Sequence, residues 1–309
     1  RRSILPPICA RPDTMKTYKD IVGDGGSQIV WQVTEQATRI QRRMASVRHV
    51  IAVMSGKGGV GKSSVTVNLA SALALDGSAV GILDADLNGA SVARMTGVSD
   101  HLLAIGPDGV EPAKSDLGLK IMSIDLFLPN EETPVLWDAP TQKDAFTWRG
   151  MMETAALREL LSDTNWGELD YLLVDLPPGT DKLPNLVDLL PQLTGTIVVT
   201  IPSGVSQFVV GKSISMAQNV LKTPVIGLVE NMSAYICAHC GKEEALFPTG
   251  RVQQWATDHE VSFLGSIPFD PRLAAAADAG MLFMHEHATL PAGRAIQDLA
   301  DQVKAFVDL

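Results

Sequence analysis

Gly56-Lys57-Gly58-Gly59-Val60-Gly61-Lys62-Ser63 follows the apolar run Val50 to Met54 and fits the pattern G-x-x-x-x-G-K-S. Glycine lets the backbone turn tightly enough for successive N–H groups to point into one concavity, and a helix starting near Gly61 adds the positive end of its dipole. Polyphosphate is the natural occupant of such a cradle. Lys62 is placed to reach the β and γ phosphates and the Ser63 hydroxyl to ligate Mg²⁺, a hard cation that keeps several of its waters. Ser64 and the backbone from Gly56 through Val60 to Gly61 complete the expected nucleotide contacts. After the loop, Val65, Leu69, Ala72 and Leu73 recur at helical spacing, so the strand–loop–helix context that gives the motif its meaning is present.

Working outward, the chain alternates between strand and helix patterns. Strands are expected at Val50 to Met54, Ala79 to Leu83, Tyr171 to Val174, Thr196 to Thr200, Val225 to Val229 and Val261 to Ser266, with helical patterns between most of them. That alternation predicts an α/β fold with a mainly parallel sheet covered by helices on both faces, because each crossover must return over the sheet. Residues 1–48 read as an N-terminal arm and a basic helix, separated by Gly23 to Gly26, and residues 49–309 as a P-loop ATPase domain. Arg39, Arg42, Arg43 and Arg48 are assigned to that helix, where such a run usually forms a solvated face. The turn-rich stretch from Gly106 to Leu128 suggests an extra strand or a hairpin. The final helix, Pro291 to Phe306, carries Ile296, Leu299, Val303 and Phe306 on one face and lacks the basic excess of a membrane-surface helix, so it is expected to pack on the sheet.

Hydrolysis needs carboxylates as well as a phosphate cradle. Asp84 and Asp86 follow the strand ending at Leu83, and Asp175 ends the strand Tyr171 to Val174. In an open parallel sheet the carboxyl ends of strands line the ligand crevice, so both segments should converge on the P-loop. Asp84 and Asp175 are expected to organise Mg²⁺ through its water shell, and Asp86 to orient or activate the attacking water. Asp175-Leu176-Pro177-Pro178-Gly179-Thr180 reads as a switch loop, with prolines restricting it and the Gly179 N–H able to approach a γ-phosphate. No N-K-x-D guanine signature occurs; Glu230-Asn231-Met232-Ser233 follows the strand at Val225 instead. Adenine is therefore the expected base, with Asn231 pairing to its edge and the segment from Pro268 to Asp270 packing beside it.

The chain has 309 residues and a formal net charge of −10, which argues against a general affinity for nucleic acid or anionic membranes. No stretch approaches the ~20 apolar residues that span a bilayer, and the opening segment with Pro6, Pro7 and Pro12 has no signal-peptide core. Cys9, Cys237 and Cys240 are too few for a disulfide scaffold and fit a reducing cytoplasm. Cys237 and Cys240 form a C-x-x-C pair whose thiolates can converge on a soft metal centre, but two ligands are not enough. Two copies of the pair facing across a two-fold axis supply four thiolates, enough for a shared iron–sulfur cluster or for zinc. A thioredoxin-like redox pair is the competing reading. His239, between the cysteines, is expected to point outward; Cys9 reads as an extra ligand or an exposed thiol, and its proline-rich arm favours the second.

Lys57 inside the loop, Asp84-Ala85-Asp86 and Asp175-Leu176-Pro177-Pro178-Gly179 together resemble the deviant Walker A ATPases, the group of MinD, ParA and the nitrogenase iron protein. With Glu230-Asn231-Met232-Ser233 and Cys237-Ala238-His239-Cys240-Gly241 added, the chain looks most like the Mrp/ApbC iron–sulfur carrier ATPases, from about Ile40 to its end. The resemblance implies an ATP-dependent homodimer in which Lys57 reaches the nucleotide of the partner copy. It favours a 4Fe-4S cluster over zinc at Cys237 and Cys240, bridging the dimer, and implies cluster scaffold proteins and apo iron–sulfur proteins as partners. Two segments depart from the family pattern: Asp181-Lys182 stands where Gly-Asp is usual, and Leu87-Asn88-Gly89-Ala90-Ser91 where an aromatic and a proline are usual. Both lie in switch regions and bear on how nucleotide state reaches the cluster. The rival readings are a MinD/ParA-like nucleotide-switched positioning dimer, which leaves the cysteine pair unexplained, and a zinc-stabilised ATPase without cluster transfer.

Overall fold

The run Val50 to Met54 lies in β1 (Val47–Met54), whose last five residues are all buried, as a central strand covered on both faces must be. The structure, a computed structural model, describes residues 27–129, 133, 135, 142–237, 239–247 and 252–308. The arm ahead of residue 27, with Cys9 and the break at Gly23 to Gly26, lies outside them. Helix α1 (Ser27–Met44) precedes β1, and α2 (Lys62–Leu75) and β2 (Val80–Asp84) follow. Next come α3 (Val92–Met95) and the short strands β3 (Ile105–Gly106), β4 (Gly109–Val110), β5 (Ala113–Lys114) and β6 (Lys120–Met122). The second half contains α4 (Gln142–Asp163), β7 (Leu169–Asp175), α5 (Lys182–Leu189), β8 (Gly195–Thr200), α6 (Gly204–Ser215), β9 (Val225–Ile236) and β10 (Glu243–Ala245). It closes with α7 (Val252–Asp258), β11 (Phe263–Phe269), α8 (Pro271–Asp278), α9 (Phe283–His287) and α10 (Pro291–Val307).

The main sheet runs β10-β9-β8-β1-β7-β2-β6-β5, with β11 also on β9. Pairings β1–β7, β1–β8, β2–β7, β2–β6, β8–β9 and β9–β11 are parallel; among the described residues, only the hairpins β5–β6 and β9–β10 add antiparallel pairs to this sheet. Alternating side chains sort the core into two layers. Ile51, Val53, Ile82, Leu173 and Ile197 face Val65, Leu69 and Leu73 of α2 and Ile296, Leu299 and Val303 of α10. Val50, Ala52, Met54, Leu83, Leu172 and Val174 face Leu157, Leu160 and Leu161 of α4, Leu183 and Leu186 of α5, and Val210 and Ile214 of α6. The expected mainly parallel sheet with helices on both faces is therefore the observed fold, and the last helix packs on it as read. Among the described residues, no helix is long and apolar enough to cross a membrane.

Several boundaries differ from the sequence reading. Arg48 lies in β1, not on the preceding helix, and pairs with Asp170 at 3.4 Å. On that helix, Arg39 reaches Asp163 at 3.9 Å and Arg43 donates to Asn165 at 3.2 Å, so part of the basic face docks on the end of α4 and the segment after it. The stretch from Gly106 to Leu128 holds two hairpins, β3–β4 apart from the main sheet and β5–β6 within it. β9 runs seven residues past the expected end at Val229, to Ile236, so Glu230 to Ser233 is strand and not loop. β11 and β10 sustain it by pairing with its far half. A bulge there lets Ile267 oppose Asn231 while Phe269 opposes Tyr235, and Met232 takes a left-handed φ of 55°.

Candidate functional site

Strand register assembles the site. Asp175 at the end of β7 stands opposite Val53 on one neighbour and Asp84 on the other, so the segments after β1, β2 and β7 leave the sheet side by side. The P-loop then folds as its glycines allow. Gly59 and Gly61 both have φ of 78°, and a Cβ on Gly61 would also collide with Asn231 Nδ2, so a larger residue there is strained. Gly61 caps α2 without a side-chain hydrogen bond. The first N–H groups of that helix therefore remain for an anion, the fit expected of a phosphate site.

Three donors on α2 meet Asp175. Lys62 Nζ lies 2.5 Å from Oδ2, Ser63 Oγ donates to Oδ2 at 2.6 Å, and Thr66 Oγ1 donates to Oδ1 at 2.7 Å. Asp175 and Thr66 are fully buried and Lys62 nearly so. Thr66 escapes the P-loop pattern, and with Ser63, Ser64, Asn68 and Ser71 on the same helix nothing in the sequence singles it out. The Ser63 hydroxyl beside the Asp175 carboxylate forms an oxygen-only donor set of the kind that suits a hard cation such as Mg²⁺.

Asp84 is fully buried and accepts from the backbone N–H of Asp86 at 3.1 Å, Ser91 at 2.9 Å and Val92 at 3.0 Å. It thereby shapes the loop that carries Asp86. Burial, with the nearby Asp175 charge adding to it, pushes the Asp84 carboxyl up to about 7 against the pull of the Val92 and Ser91 N–H groups and Lys62. The half-buried Asp86 carboxyl is also raised by desolvation, with Lys62 opposing. The Gly179 N–H, expected to face a phosphate, instead donates to the Ser55 carbonyl at 3.0 Å, and Pro178 of the same loop lies over Gly58. Lys57 is exposed on the outer turn of the P-loop.

The base-side residues behave differently from the reading. Asn231 Nδ2 donates to the Val60 carbonyl at 2.9 Å, so its donor braces the P-loop from β9. Pro268 lies within β11 and is part-buried. Asp270 caps α8 through Arg272 N–H at 3.0 Å and forms a two-pronged pair with the Arg272 guanidinium at 2.8 and 2.6 Å. That pairing holds the Asp270 carboxyl below its usual range and commits both of its oxygens locally.

Cys237 directly follows β9, and β10 returns alongside, so the cysteine pair occupies a hairpin turn. Cys237 N–H donates to the Lys242 carbonyl and Gly241 N–H to the Cys237 carbonyl, each at 2.9 Å. Both cysteines are free thiols, Cys240 and His239 exposed and Cys237 half-exposed. Backbone N–H groups of Cys240 and His239 aimed at the Cys237 sulfur lower its pKa and favour the thiolate, the ligating form. Among the described residues, no cluster of three or more His, Cys, Asp or Glu could hold a metal ion.

Comparison with known proteins adds three findings. Residues 46–304 match the family model described as "ParA: NUBPL iron-transfer P-loop NTPase". The chain is 41% identical over 278 residues to the "Iron-sulfur cluster carrier protein" of Saccharolobus solfataricus, covering 90% of each, and 39% identical over 274 residues to the "Cytosolic Fe-S cluster assembly factor NUBP1 homolog" of Caenorhabditis elegans, covering 86% of this chain and 84% of the relative. Among solved structures, a nucleotide-binding protein of Archaeoglobus fulgidus in complex with ADP superposes with a TM-score of 0.68 at 36% identity, over 80% of this chain and 92% of that one.

Proposed function

Because the chain belongs to the ParA/NUBPL iron-transfer P-loop NTPase family, we propose that it is a Mg-ATP-dependent ATPase that holds an iron–sulfur cluster between two copies of itself and hands it to apo-proteins. The observation that carries this reading is β9: a single strand braces the P-loop through Asn231 and ends at Ile236, one residue before Cys237. One element thus links the P-loop to the cysteine turn.

Lys62, Ser63, Ser64 and the backbone of Gly56 to Gly61 hold the nucleotide phosphates. Mg²⁺, when bound at Ser63 with Asp84 and Asp175 organising its waters, neutralises charge building on the transferring phosphoryl group. Asp86, at the mouth of the site, orients the attacking water. Lys57, exposed and unneeded for the phosphate cradle, is assigned to the nucleotide of the partner copy. Asn231 reaches the base edge only with whatever capacity its bond to Val60 leaves free. Cys237 and Cys240 from each copy supply four thiolates to a 4Fe-4S cargo. The names of relatives, a cytosolic assembly factor among them, support work in the cytoplasm between cluster scaffold proteins and apo-protein recipients.

A transfer assay tests the reading. Chain loaded with cluster under anaerobic conditions is mixed with an apo-protein whose own cluster restores an absorption band or an activity, with and without Mg-ATP. The wild type should hydrolyse ATP and reconstitute the recipient, and Lys62→Ala should lose turnover. A wild type without ATP turnover would remove the ATPase assignment; one that keeps its cluster in the presence of recipient would remove the carrier assignment.

A further inference from the structure

Glu153 projects from α4 into the angle between the segment after β2 and the segment after β7. Its Oε1 accepts from Asn88 Nδ2 at 2.7 Å and its Oε2 from Lys182 Nζ at 3.2 Å. Asn88 lies two residues beyond Asp86, in a turn closed by the Gly89 N–H on the Asp86 carbonyl at 3.0 Å. Lys182 is the first residue of α5, where the loop from Asp175 ends. The bracket itself is fixed, because Ala156, Leu157, Leu160 and Leu161 of α4 are buried in the same core layer as Leu83, Val174 and Leu183. The three elements also enclose a cavity of about 30 Å³ lined by Asn88, Glu153 and Lys182, so the carboxylate spans a gap. Side-chain exposure is 16% for Glu153 and 27% for Lys182, enough shielding to lift the pair above an ordinary surface contact.

We propose that Glu153 is a positioning residue that couples the two loops, so that Asp86 and Asp175 respond to one nucleotide together. Each carboxylate oxygen serves a different loop, and the two oxygens are rigidly joined. Turning the carboxylate to follow one loop withdraws the oxygen from the other and costs that loop its charge-assisted hydrogen bond. Both partners come from the two segments that depart from the family pattern, so the clamp belongs to this chain's own switch loops. Its consequence for turnover rests on the ATPase reading above; its geometry does not.

Hydrogen exchange on the full chain, with and without Mg-ATP, tests the clamp directly. Glu153→Ala should raise exchange roughly tenfold in both residues 86–91 and residues 179–184, as expected for low-stability segments released together. Asn88→Ala should loosen residues 179–184, which it does not touch, and add nothing in the Glu153→Ala background. Loosening confined to the mutated loop would overturn the coupling. In turnover, Glu153→Ala should lower kcat roughly 10- to 100-fold, the scale of a misplaced catalytic group, while KM for ATP stays within about threefold. Glu153→Gln, which keeps the bond to Asn88 and the side-chain volume, should recover part of the loss. If the wild type does hydrolyse ATP, an unchanged kcat in Glu153→Ala would also overturn it. If the wild type does not hydrolyse ATP, the ATPase reading fails and the exchange pattern still decides the clamp.

Discussion

Lys62, Ser63 and Thr66 lie within one turn of α2, and all three reach the carboxylate of Asp175. A fully buried carboxylate is tolerated only if its charge is compensated and its lone pairs are filled. Thr66 therefore supports Asp175 alongside the P-loop lysine, although the motif gives it no role. Thr66→Val, which keeps the shape and removes the donor, should destabilise the fold by about 1–3 kcal/mol, read as a lower urea midpoint at unchanged m, because a buried acceptor loses its partner. Thr66→Ser should restore most of it. Equal midpoints for wild type and Thr66→Val would mean that this hydroxyl does not support Asp175. The P-loop, the acidic strand ends and the cysteine pair were legible in the sequence because each is a fixed spacing on a predictable strand or turn. Thr66 and Glu153 were not, since their partners lie 109 and 65 residues away for the bonds to Asp175 and Asn88.

At the scale of elements, β9 departs most from expectation. Glu230, Asn231 and Ser233 interrupt its apolar run after Val229, yet β11 and β10 keep it extended to Ile236. Only the partner strands, which are distant in sequence or very short, reveal this. The consequence is a direct route from Asn231 to Cys237, six residues and at most roughly 20 Å of strand, interrupted by the bulge at Met232. If the route transmits nucleotide state, ATP should bind cluster-loaded and cluster-free protein with affinities differing by roughly 5- to 150-fold. Asn231→Ala should bring the two affinities together; an undiminished difference in that variant would place the coupling elsewhere. α4 offers an independent check on the electrostatics. Burial, with Asp163 nearby, pushes the Glu159 carboxyl up to about 7 against the pull of Arg39 and Arg158. The folded chain thus holds a proton that the unfolded chain has released between its ordinary 4.5 and about 7. Stability must fall as pH rises through that window and stay lower above it. Glu159→Gln mimics the protonated form and should stabilise by about 1–2 kcal/mol at pH 8, allowing for solvent screening, with little effect below the unfolded value. A gain of equal size at both pH values would contradict this assignment.

The whole molecule presents a P-loop with an exposed lysine and a hairpin with two cysteines, and in the proposed reading a second copy completes both. Donation of Lys57 across the dimer is tested by a mixed dimer of Lys57→Ala and Lys62→Ala chains. The Lys57→Ala chain keeps a competent pocket and can borrow Lys57 from its partner, so one site should regain turnover that either variant lacks alone. No recovery in verified mixed dimers would count against donation in trans. The central claim, that two copies share one cluster through Cys237 and Cys240, is met most directly by assaying iron, sulfide and zinc together on anaerobically reconstituted protein of known oligomeric mass. The expected result is about four iron and four sulfide per dimer, little zinc, and loss of all three in Cys237→Ala/Cys240→Ala with ATP binding intact. Stoichiometric zinc in place of iron, or a full complement of iron and sulfide in the double variant, would contradict it.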